Sequence, residues 1–312
     1  MRAWLASCAV AARLASDRAD LWMPAALAWI VSVGWIPFAL VVVPFPGEGD
    51  LVAFGAGLFT SSLWPLNAIL IVLAGVVVVV AAILLRAVAE AALARAMALA
   101  LPDRAAADTG GSGRVVAGLF LIRIVTAVPT ALAIAAAGLV LAAVAPDEFQ
   151  SPDIGGEVYV RVAGRLLPAL VVLVLALLVG AVVAAVAGRH VVTARGGSAA
   201  VALSEAVREL ARRPGPLLAL ASSTLLGAAL YLLVCLMLLR VLWAPLQAVL
   251  AERPIAPADL LLLVGFVAIW LGLILGGGVV YGWASAWWAL ELRDVRGGRP
   301  EPVSAPEGMR PA

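Results

Sequence analysis

The residues able to do chemistry are few. His190 is the chain's one histidine, and there is no lysine, so Schiff-base and Ser–Lys mechanisms are excluded. No Walker motif, HExxH, CxxC or GxSxG string occurs. Cys8 and Cys235 lie far apart, which fits neither a disulfide framework nor a metal site. Two arginines, Arg123 and Arg240, fall inside apolar segments, and Thr126 and Thr130 follow Arg123 at one and two helical turns. A guanidinium beside hydroxyls is a grip for an anionic lipid or substrate. The first expectation for both arginines is nonetheless interfacial anchoring, with the long side chains reaching up to the headgroups.

One serine stands in a suggestive context, Gly282-Trp283-Ala284-Ser285 near the end of the last apolar segment. Paired with His190 it invites comparison with rhomboid intramembrane proteases. The order is wrong: those enzymes carry serine on the fourth helix and histidine on the sixth, the reverse of this chain. No catalytic centre, cofactor or metal ion is therefore expected.

What must position any such group is membrane-spanning helix. Of 312 residues, 64% are hydrophobic and 13% charged, with a mean hydropathy of +1.10. A soluble domain has about 25% charged residues, so this chain cannot cover a water-facing surface. Six apolar segments reach the ~20 residues a helical crossing needs: 21–43, 63–85, 115–144, 162–187, 217–243 and 260–290. Runs such as Val76–Val80 lack the period-two polarity of a β-barrel strand. The expected fold is all-α and polytopic: six transmembrane helices arranged as three hairpins, in one domain over 1–295, followed by a disordered tail over 296–312. The first and third hairpins open on faintly similar strings, 14–21 and 210–217.

Arginine placement sets the direction of threading. One set of loops and termini holds 16 arginines; the opposite set holds Arg161, Arg165 and Arg253 with eight acidic residues. Both termini are thus expected in the cytoplasm. The Ala-, Leu-, Val-, Gly- and Arg-rich composition without lysine is that of a high-GC bacterial genome, which makes the inner membrane the expected location. A net charge of +2 gives no reason to expect a nucleic-acid partner. No cleavable signal is expected, because Arg13, Asp17, Arg18 and Asp20 interrupt the first apolar stretch, and only four residues precede the lipoprotein-like Leu5-Ala6-Ser7-Cys8.

Between the spans lie short basic pieces. The N-terminal stretch reads as an amphipathic helix on the membrane surface, with Trp4, Leu5, Cys8 and Leu14 towards lipid. Residues 86–100 extend the second helix and would project about 22 Å. Residues 198–213 read as a second amphipathic helix, with Leu203, Val207 and Leu210 on its apolar stripe. The central layers of the spans carry no ionisable residue, which argues against a proton relay. Their neutral polar groups, including Ser32, Ser223, Thr224 and Tyr231, are expected to bond back to helix carbonyls or to a neighbouring helix. Gly272/Gly276, Gly278/Gly282 and Gly180/Ala184/Gly188 provide small-residue faces for close helix packing. Pro37, Pro129 and Pro168 are expected to kink or loosen their helices. Trp64 and Trp243 mark one membrane rim, and Trp22, Trp283, Trp287 and Trp288 the other, while Trp29, Trp35 and Trp270 lie deeper.

The basic helix Ala202-Leu203-Ser204-Glu205-Ala206-Val207-Arg208-Glu209-Leu210 and the ending Trp287-Trp288-Ala289-Leu290-Glu291-Leu292-Arg293-Asp294 resemble bacterial six-helix membrane proteins related to the membrane domain of glycerophosphoryl diester phosphodiesterases. The resemblance implies a six-span membrane part without assigned chemistry. The soluble phosphodiesterase domain is missing, so that activity does not transfer, and no functional residues carry over. The expected function is a non-catalytic membrane scaffold or accessory component, partnered by the bilayer and by anionic lipid or a membrane protein. The alternative is a transporter or permease for a small molecule or lipid.

Overall fold

A computed structural model describes residues 2–43, 57, 60–100, 112–149, 156–193, 198–252 and 257–294. The expected tail over 296–312 lies outside them. The described residues are helical almost throughout and contain no strand. The physical cause is the solvent: hydrocarbon offers the peptide group no hydrogen bond, so each apolar segment satisfies its own backbone as a helix.

The chain begins with α1 (Arg2–Asp17). A 3₁₀ turn over Ala19–Leu21 leads into α2 (Trp22–Trp29), a π turn (Ile30–Gly34) and α3 (Ile36–Val42). Long helices follow: α4 (Leu66–Ala100), α5 (Ser112–Phe149) and α6 (Gly156–Thr193). The shorter α7 (Ala199–Arg212) precedes the long α8 (Pro214–Glu252) and α9 (Pro257–Asp294). Among the described residues, five helices are long and apolar enough to cross a membrane: α4, α5, α6, α8 and α9. A sixth crossing results if Ala19–Gly34 and Ile36–Val42, bent by 49°, count as one span. The protein is thus all-α and of membrane type.

The bend has a local cause. Pro37 stands in the first turn of α3, where its ring fixes φ and it has no N–H to give to the preceding turn. The Ser32 hydroxyl bonds back to the carbonyls of Ala28 (2.7 Å) and Trp29 (3.0 Å). By contrast α5 and α6 run unbroken through Pro129 and Pro168, and α9 runs unbroken through Gly276, Gly277 and Gly278.

The core gathers at one end of the bundle. Ala87, Ala91, Val115, Leu119, Ile122, Val182, Val186, Leu217 and Leu292 meet there. Beside them Ala11, Leu21, Ala25, Leu93, Met97, Leu220 and Trp287 form a second cluster. The far end holds a smaller cluster of Leu239, Leu246 and Phe266, flanked by Phe38 and Trp270. Elsewhere at that far end the long helices are bare. Ile69–Leu73 and Val76–Val80 of α4 are all exposed. Five consecutive residues exceed one helical turn, so no described residue covers any side of α4 at that level.

Glycine makes the closest contacts. A Cβ on Gly278 would lie 2.7 Å from the Ala26 backbone nitrogen, and one on Gly277 would collide with the Trp29 indole. These positions let α2 lie directly against α9, with Trp29 buried between them. In the same way Gly180 faces the Thr126 carbonyl, and Gly188 and Gly118 face Leu119 and Val191, so α5 and α6 run antiparallel in contact. Gly272 has nothing within 4 Å and belongs to no such contact.

Three expectations for the basic pieces change. First, α1 packs on α9 rather than turning Trp4, Cys8 and Leu14 to lipid. Trp4 and Trp287 have ring centroids 4.6 Å apart, Cys8 and Leu14 join the second cluster, and Ser7 bonds Glu291. Leu5 alone of the four remains exposed. Second, the end of α4 does not project freely, because its alanines are small enough to be enclosed: Ala87, Ala89, Ala91, Leu93 and Met97 are buried. Third, α7 turns Ala202 and Ala206 inwards with Leu203 and Leu210 partly buried, while Val207 is exposed. The compact alanine face packs closer than the bulkier stripe would.

Candidate functional site

The packed end of the bundle encloses a charged cluster, drawn from three helices. Glu90 lies on α4 between the buried Ala87, Ala89, Ala91 and Leu93, so its carboxylate must leave the helix on a covered side. One turn earlier, Arg86 Nε donates to Glu90 Oε1 at 2.9 Å. From α5, Arg123 makes a two-pronged contact, Nε to Oε2 at 2.9 Å and Nη2 to Oε1 at 2.5 Å. From α9, the Tyr281 hydroxyl donates to Oε1 at 2.5 Å. The Glu90 side chain is 10% exposed, against 29% for Arg86 and 21% for Arg123.

The arrangement has a definite electrostatic character. A carboxylate held by a guanidinium fork is among the stronger pairings available to side chains. Inside an apolar bundle, separating the pair would leave charges whose burial costs several kcal/mol. The cluster therefore ties α4, α5 and α9 together. Two guanidiniums against one carboxylate also leave one positive charge in excess.

The residues singled out from the sequence do not form one site. The Arg123 guanidinium pairs with Glu90, a carboxylate within reach on the neighbouring helix. Thr126 and Thr130 lie on the α5–α6 contact instead, and the Thr126 hydroxyl bonds back to the Ile122 carbonyl at 2.8 Å. Arg240 is exposed on α8, beside Leu239 of the cluster at the opposite end. The other neutral groups behave as expected: Ser223 and Thr224 bond carbonyls one turn back on α8, and Tyr231 reaches across to the Leu273 carbonyl at 2.7 Å.

His190 ends α6 facing α7, with Nδ1 3.0 Å from Glu205 and Nε2 3.5 Å from Glu209. It belongs to the docking of α7. Among the described residues, no group of three or more metal-ligating side chains is close enough to hold an ion.

Sequence reasoning missed Glu90, Arg86 and Tyr281 as a unit. Arg86 and Glu90 stand one turn apart, as an ordinary exposed helical ion pair would. The available signal was the set of alanines around Glu90, which marks an enclosed helix face. Comparison with protein-family models, curated proteins and solved structures gives no match. The geometry alone carries the functional argument.

Proposed function

We propose that this protein is a multi-pass component of a bacterial inner membrane, with six spans in three hairpins and both termini in the cytoplasm. It acts without catalysis of its own, as a scaffold or accessory partner. The observation carrying this reading is the Glu90 cluster, in which each charged side chain is engaged by another and the product is a tie between three helices. Groups that position a reaction face a substrate; these face one another. The amphipathic character of α1 and α7, and the resemblance of 202–210 and 287–294 to the phosphodiesterase-associated membrane domain, support the same reading. Purification in mild detergent should yield a stoichiometric membrane-protein or lipid companion. Recovery of the protein free of both would overturn the reading. Reporter fusions after Gly49 and Arg104 test the threading, with activity outside the cytoplasm expected only for the first.

One observation favours transport as a second reading. Two apolar clusters fill one end of the bundle and a smaller one the other, where α4 is exposed over Ile69–Leu73 and Val76–Val80, an asymmetry that a carrier closed on one side would share. Cysteines placed along Thr130–Ala137 that react with a water-soluble maleimide from outside would support it.

A further inference from the structure

We propose that Arg86 and Arg123 form a binding site for a phosphate-bearing anion at the inner rim of the membrane. The inference rests on the proposed threading but not on the scaffold assignment.

Position comes first. From Leu66, α4 is apolar and largely exposed as far as Leu85. That stretch rises about 30 Å, the thickness of the hydrocarbon core. Arg86 is the next residue, so it stands where acyl chains end and phosphates begin. Exposed Leu84, Leu85 and Val88 on α4, with Leu121 and Val125 on α5, provide the apolar surface that would lie under such a headgroup.

Charge comes second. Of the described acidic side chains at this end, Asp17 accepts from Ser16, Asp20 pairs with Arg18, Glu291 bonds Ser7, and Glu205 and Glu209 face His190. Glu90 balances one of the two guanidiniums. A phosphate group would balance the other and fits the planar fork of arginine donors. Both arginines are exposed enough, at 29% and 21%, to meet a ligand from the side, whereas Glu90 at 10% is enclosed.

An anionic glycerophospholipid and free inorganic phosphate share this chemistry, and the test separates them. The full chain is placed in phosphatidylcholine nanodiscs, with or without phosphatidylglycerol, and separately with inorganic phosphate against chloride at equal ionic strength. Thermal unfolding is read by tryptophan fluorescence, and retained lipid by native mass spectrometry. We expect phosphatidylglycerol or phosphate to raise the unfolding temperature, with R86Q lowering the retained anion about tenfold, the scale of one charge-assisted contact. R95Q, which removes the same charge from an exposed position on α4, leaves retention unchanged. E90Q supplies a sign that a purely structural role would not: with the competing carboxylate gone, the variant loses stability in phosphatidylcholine and recovers more than the parent when the anion is added. Stabilisation by lipid only identifies a headgroup site, and stabilisation by both probes a general phosphate site. Equal behaviour of R86Q and R95Q, or no preference for either anion in the parent, overturns the proposal. Such a failure leaves the reporter-fusion result untouched.

Discussion

Arg123 of α5 grips Glu90 of α4 with both prongs of its guanidinium fork, although 33 residues separate them in the chain. The pair joins two helices whose far halves do not cover one another. What joins the two helices is therefore this polar tie beside the apolar cluster that includes Ala87, Ala91, Val115, Leu119 and Ile122, all at one level.

Removing the carboxylate should be costly. E90Q leaves Arg86 and Arg123 without their counter-charge, and breaking a buried pair typically costs about 3–5 kcal/mol. Y281F removes one hydrogen bond to the same oxygen and should cost about 1 kcal/mol. Denaturant-induced unfolding in mild detergent would measure both. Equal losses for the two variants would show that the tie is not centred on Glu90.

The α2–α9 contact makes a sharper steric prediction. G278A drives a methyl group against the Ala26 backbone, which has no rotamer by which to yield, and overpacking of this kind costs about 1–3 kcal/mol. G272A meets open space and should change stability by less than about 1 kcal/mol. The difference between the two unfolding midpoints is the readout.

Docking of α1 can be followed through its own thiol. Cys8 is half-buried and, like Trp4, packs against the cluster shared with α9, while Cys235 is buried on α8. W4A removes the ring packed against Trp287 at 53° between planes, so Cys8 should react with maleimide several-fold faster and Cys235 should remain slow. An unchanged Cys8 rate would show that the Ser7–Glu291 bond and the packing of Ala11 and Leu14 hold α1 in place without Trp4.

The seat of α7 depends on His190. H190A deletes the group facing Glu205 and Glu209, and amide exchange along Ala199–Arg212 should rise, with α6 unaffected before Val182. S198A removes the hydroxyl that accepts the Val201 amide and should weaken the start of α7 by about 1 kcal/mol. Exchange that stays slow in H190A would assign the docking to Ala202 and Ala206 instead.

Much of the architecture was legible because one solvent dictates it. Apolar runs such as Val76–Val80 exclude water and so require helix, and Gly278 marked a close contact before the partner helix was known. The partners themselves were not legible. Nothing in the spacing of Trp4 and Leu14 separates a helix lying on lipid from one lying on α9, since both surfaces are apolar. Likewise Arg123 looked like a headgroup anchor because Glu90 is distant in sequence and appeared to lie beyond the membrane. A charge on a helix face is read as solvated until the third dimension supplies a neighbour. Val207 failed for the opposite reason: its hydrophobicity outranked Ala206 on any scale, yet closeness of approach decided which face went inwards.

The uncovered stretch of α4 has a mechanical consequence. From Leu66 to Leu85 it is largely exposed among the described residues, with a length that matches acyl chains, and the first charge follows immediately. Thickening the bilayer would draw Arg86 towards oil and thinning it would strand leucine in water, so this helix must tilt in response. Because the cluster at its foot also fastens α5 and α9, that tilt would be passed on to them as a lever passes on a displacement, and lipid chain length becomes a variable that sets the shape of the whole bundle.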